Sequence, residues 1–180
     1  MEAERQLSQL SESEIKLLFE NHIEKNYIFD VKFNELIYFP YWFVKVEVPN
    51  YLERAELTGL VNALLKEQGV RKRKAEKAKA SDVIAVVCWV RTMLKRIAEL
   101  EANFLVGDPD PDMQAAGSKE LDEFGELNTI DRLAGGDLLK YPEAKRIPYN
   151  EVFDKLRMDM VRGKIEKRYS EIKTKKAKGR

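Results

Sequence analysis

The chain offers few residues able to do covalent or metal chemistry. His22 is the only histidine in the 180 residues, and Cys88 the only cysteine. A Ser-His-Asp or Cys-His relay and a two-histidine metal site are therefore unsupported unless a second chain contributes. His22 falls in a segment whose apolar positions include Ile15 and Ile23, the pattern of a histidine at the edge of a core. Cys88 lies between Val87 and Trp89 and reads as packing material, not as a nucleophile. Neither a Gly-x-Gly-x-x-Gly stretch nor a phosphate-binding loop ending in Gly-Lys is present.

Two acidic clusters invite a ligand reading. Asp108, Asp110 and Asp112 alternate like the start of a calcium loop, but Met113 stands where glycine is needed and Lys119 where a bidentate glutamate is needed. A solvated acidic connector is the better reading, with Asp110 capping the next helix and Pro111 in its first turn. Glu120, Asp122, Glu123 and Glu126 contain the carboxylates for acid–base work, but no apolar cleft is implied around them. The expectation is a non-enzymatic protein with no metal and no cofactor.

The elements that position these residues are mainly helical. Ser11 and Glu14 form a capping box ahead of Ile15, Leu18, Phe19 and Ile23. Residues 27–48 hold eight of the seventeen aromatics, and Tyr27, Phe29, Val31, Phe33 and then Val44, Val46, Val48 alternate. Period two with aromatic and β-branched residues predicts two or three short strands there. Asn34-Glu35 is the candidate turn, and Asn50 the candidate N-cap of a helix ending at Gly69. From Val83 to Leu105 apolar residues recur at spacings of three and four, which predicts a long helix with a continuous buried face. Pro148 opens a last helix with Val152, Phe153, Leu156, Met160, Val161, Ile165 and Tyr169 inward. The organisation read from this is a frayed segment 1–10, a helical domain 11–106, an acidic linker 107–112, a C-terminal helical subdomain 113–172 and a disordered basic tail 173–180. The fold class is mainly α, with a small two- or three-strand β element near 27–48.

A net charge of +1 hides blocks of opposite sign. Arg71, Lys72, Arg73, Lys74, Lys77 and Lys79 oppose Glu76 alone, and nine cations between Arg162 and Arg180 oppose Glu166 and Glu171. Between Ala98 and Asp137, eleven acidic residues oppose Lys119 and Arg132. Such blocks are solvated helix faces, phosphate contacts, or the two sides of a contact between copies. The 71–79 cations are the candidates for nucleic acid or an acidic partner. Tyr38, Tyr41 and Trp42, beside Pro40, are the candidates for a protein contact. The lone cysteine suggests a reducing compartment. The N-terminus lacks a signal-peptide pattern, and the longest apolar stretch, Val83 to Val90, is well below the roughly 20 residues of a membrane span.

Three stretches of the C-terminal third carry a resemblance. Phe124-Gly125-Glu126-Leu127-Asn128-Thr129-Ile130, Leu133-Ala134-Gly135-Gly136-Asp137 and Ile147-Pro148-Tyr149-Asn150-Glu151-Val152-Phe153 resemble small helical morphogenesis proteins of tailed bacteriophages. In tail-assembly and connector-region proteins a short helix and a Gly-Asp turn precede a proline-started helix. The resemblance spans residues 121–172. It implies a virion structural or assembly role without enzymatic activity, as a tail-assembly chaperone or a connector or ring protein. The implied partners are other copies of the chain or other virion proteins. The implied location is the host cytoplasm during assembly, with the virion as a further site. A nucleic-acid-binding accessory protein is the alternative.

Overall fold

A computed structural model describes residues 23–70, 74–107 and 111–178, together with positions 3, 5, 9, 11, 13 and 19. His22, Glu14 and the Asp108–Asp110 part of the expected linker lie outside the described residues. The fold is mainly helical with one small antiparallel hairpin, β1 (Tyr27–Ile28) and β2 (Val31–Lys32). Ile28 pairs with Val31 across a turn at Phe29-Asp30, where Phe29 adopts φ 55°. The β element thus ends before Phe33, and Asn34-Glu35 is not its turn.

The second alternating run is helical, not extended. Residues 41–53 form a continuous helical rod in which Phe43–Glu47 has π geometry and Val48–Glu53, α1, returns to α geometry. Pro49 explains the change. Within an α-helix its ring would meet the carbonyl four residues back, and it has no N–H to donate. One wide turn ahead of it relieves the conflict. Valines at 44, 46 and 48 then suit a crowded interior: Val44 and Val48 are fully buried. Asn50 lies inside this rod and caps nothing.

Further α-helices among the described residues are α2 (Leu57–Glu67), α3 (Ala80–Phe104), α4 (Pro111–Ala115), α5 (Glu126–Ala134), α6 (Tyr141–Ala144) and α7 (Tyr149–Lys178). Every residue from Val83 to Val90 of α3 is buried, so its first turns cross the centre of the molecule instead of presenting one stripe. Toward its end the burial thins, and Leu100 and Phe104 are partly exposed. Trp89 stacks on Phe33 at 5.9 Å, which seats the loop after the hairpin on this axis. Ile23, expected inward, is exposed, whereas Ala3, in the segment expected to fray, is buried.

The C-terminal helices join the same core. Ile130, Ala134, Ala144, Tyr149 and Val152 cluster with the residues of α2 and α3. Backbone bonds fix the junction: Tyr149 N–H donates to Phe39 O at 2.9 Å and Tyr41 N–H donates to Ile147 O at 2.8 Å. Gly135 and Gly136 end α5 with positive φ, and the Gly136 amide donates to Asp131 O, a turn that only glycine takes without strain. The segment expected as a disordered tail is helical through Lys178, since lysine and alanine favour the helix and nothing interrupts it after Gly163.

Candidate functional site

Four segments converge on one polar cluster inside this junction. Lys45 projects from the π-helical stretch and donates to both carboxylate oxygens of Glu101 on α3, at 2.9 and 2.8 Å. It also lies 3.4 Å from Glu126 at the start of α5. Tyr149, the first residue of α7, donates its hydroxyl to Glu101 at 2.9 Å. Tyr41 donates to Glu126. The two tyrosine rings stack at 6.0 Å and close the cluster from the apolar side.

The electrostatics make this a clamp. Burial raises the hydroxyl pKa of Tyr41 well above its ordinary 10.0; the Glu126 hydrogen bond adds to this and a Thr129 bond opposes it. Burial followed by the Glu101 bond raises Tyr149 likewise. Burial alone would lower the Lys45 ammonium, but its hydrogen bond to Glu101 and the charges of Glu126 and Glu101 outweigh that and hold it above 10.5. The tyrosines remain neutral donors and the lysine a full cation at neutral pH, so none is primed as a base or nucleophile. No motif or spacing in the sequence joins Lys45, Glu101 and Tyr149. Lys45 was the available signal: it is the lone cation in the apolar and aromatic run Phe39–Val48.

The expected contact aromatics separate. Tyr41 is 3% exposed and belongs to the clamp, so it is no surface anchor. The backbone pairing with Ile147 turns it inward. Tyr38 is 59% exposed. Trp42 is half-buried beneath the Lys145 ammonium, 3.9 Å from the ring centre. Trp42, Glu47, Glu67, Pro142, Lys145 and Arg146 border an open cleft of about 350 Å³ with charges of both signs on its walls.

Of the basic candidates, Arg71, Lys72 and Arg73 lie outside the described residues. Lys74, Lys77 and Lys79 are exposed on a segment folded against α2. Ala75 and Ala78 are buried there. Asn62 accepts from the Ala75 amide and donates to Glu76, both at 2.8 Å. Lys77 is thus displayed from an anchored 3-10 turn, Ala75–Lys77, with Lys74 and Lys79 beside it.

Cys88 is buried, which raises its thiol pKa, with Arg91 opposing and Glu24 reinforcing; this is the environment of an unreactive core cysteine. Among the described residues no group of three or more His, Cys, Asp or Glu is arranged to hold a metal ion. No helix among them is long and apolar enough to cross a membrane.

The feature that sequence reading placed inward and the structure leaves bare is on α7. Its first turns are packed: Val152 is buried, Phe153 meets Phe104 edge-on at 6.4 Å, and Arg157 covers Phe104 at 4.8 Å. Arg132 holds the next turn through Asp159 at 2.7 Å. Beyond it Val161, Ile165, Tyr169 and Ile172 are each about half exposed on one face of a helix that leaves the core. No family model matches this sequence, and no curated protein or solved structure is significantly similar to it.

Proposed function

We propose that this chain is a non-enzymatic assembly or structural protein of a phage-like particle, working through contacts with copies of itself or with other virion proteins. The observation that carries the reading is the distal half of α7. A bare apolar stripe on a helix extending from a packed body is a surface that gains free energy only when a partner covers it. The resemblance of residues 121–172 to tailed-phage morphogenesis proteins supplies the class of partner. The clamp supports the same reading, because it fixes the root of α7 to α3, α5 and the π-helical stretch. Tyr38 and Trp42 remain contact candidates beside their cleft. The test is disruption of the gene in its source phage. Infected cells are expected to replicate DNA but accumulate incomplete particles; normal particle yield and morphology would reject the role.

A nucleic-acid-binding accessory role is the second reading, favoured by the display of Lys77 on an anchored turn with Lys74 and Lys79 beside it. It predicts DNA or RNA affinity that falls steeply with salt and drops when these lysines are neutralised. Absence of a gel shift at low salt would eliminate it.

A further inference from the structure

Resting on the assembly reading, we infer that the distal stripe of α7 is covered by the acidic 3-10 segment Ser118–Phe124 of a second copy, in a head-to-tail contact. The stripe consists of Val161, Ile165, Tyr169 and Ile172, each about half exposed, with the Lys173 ammonium over the Tyr169 ring at 4.8 Å. At 3.6 residues per turn, Arg162 and Lys173 border one edge and Arg168 and Lys175 the other. Glu166 and Glu171 fall farther round the helix. The surface is an apolar strip with cationic margins.

Its complement is seven residues of 3-10 helix. Three residues per turn place Leu121 and Phe124 on one ridge. Glu120 and Glu123 then flank that ridge on one side, and Lys119 with Asp122 on the other, so the segment is net acidic and its negative charge is concentrated on the glutamate side. Leu121 and Phe124 are 55% and 50% exposed. The segment is held in place from behind, where the Asn128 side chain donates to Leu121 O, so its shape is set before any partner arrives. The result is a half-exposed apolar ridge with one acidic margin.

Both surfaces stay about half exposed in the single chain, so neither covers the other in cis. Pairing of two α7 stripes would set cation against cation, which disfavours a symmetric helix pair. Nucleic acid would satisfy the margins but leave valine and isoleucine uncovered, since these side chains offer no stacking face. The acidic ridge matches both the apolar and the charged parts of the stripe. Because the two surfaces differ, the contact is heterologous. It builds a ring or a filament according to the rotation between neighbours.

The test uses the full chain and two variants at exposed positions, Ile165→Asp and Phe124→Asp, with circular dichroism confirming that each is folded. Sedimentation velocity at low salt should give the wild type a mass above the 20.9 kDa of one chain, falling as salt is raised. Each variant alone should associate more than tenfold more weakly. An equimolar mixture should recover one intact contact and stop at a 1:1 pair. A wild type that stays monomeric overturns the contact, as does a Phe124→Asp chain that associates like the wild type, or a mass gain that requires added DNA. None of these results alters particle morphology in the gene disruption, so failure of the contact and failure of the assembly role are told apart.

Discussion

Lys45 holds carboxylates from two helices that would otherwise face each other near two buried rings. Replacing it with methionine leaves Glu101 and Glu126 without their cation. The side chains of the three residues keep 21–29% of their exposure, so solvent screens part of the loss and the expected cost is about 1–3 kcal/mol, measured by urea unfolding. Tyr149→Phe removes a single hydrogen bond to Glu101 and should cost about 1 kcal/mol. The same groups set an alkaline limit. Lys45, Tyr41 and Tyr149 all have pKa values raised in the folded chain above their ordinary 10.5 and 10.0. Below about pH 10 these groups are protonated in both states and their contribution is complete. Above it the unfolded chain loses protons first and is stabilised by doing so, so folding stability falls as pH rises. Denaturant midpoints from pH 8 to 11.5 should trace that fall, and Tyr149→Phe should make it shallower.

At the scale of elements, α7 behaves as two helices in one: a packed root and a solvated arm. Gly163 sits just past the root, with open space where a side chain would extend. Gly163→Ala should therefore raise helix content, read at 222 nm, while shifting the melting midpoint little, because the arm frays separately from the core. The mainly helical fold and α3 were legible because three- and four-residue spacing persists from Val83 to Phe104. Two features were not. The alternation of Val44, Val46 and Val48 mimics a strand, since a helix buried on most sides also accepts β-branched residues in succession; Pro49 marked the irregular turn but not its type. On α7, the spacing of Val161, Ile165 and Tyr169 identifies an apolar face correctly, yet periodicity cannot say whether that face meets its own core or another molecule. The clamp was illegible for a related reason. Lys45, Glu101, Glu126 and Tyr149 are far apart in the chain, and only the tertiary crossing of their elements unites them.

The molecule as a whole borders its exposed apolar surfaces with charge, cationic along distal α7 and mainly acidic along Ser118–Phe124. The core and the clamp make a stable platform, and α7 and Ser118–Phe124 project complementary surfaces from it. Contacts between copies are expected at these two stretches. Amide hydrogen exchange, followed at low and high protein concentration, tests this most directly. The account predicts slower exchange at high concentration confined to residues 158–172 and 118–124, with the core amides unchanged. Identical rates at both concentrations in those stretches would contradict it.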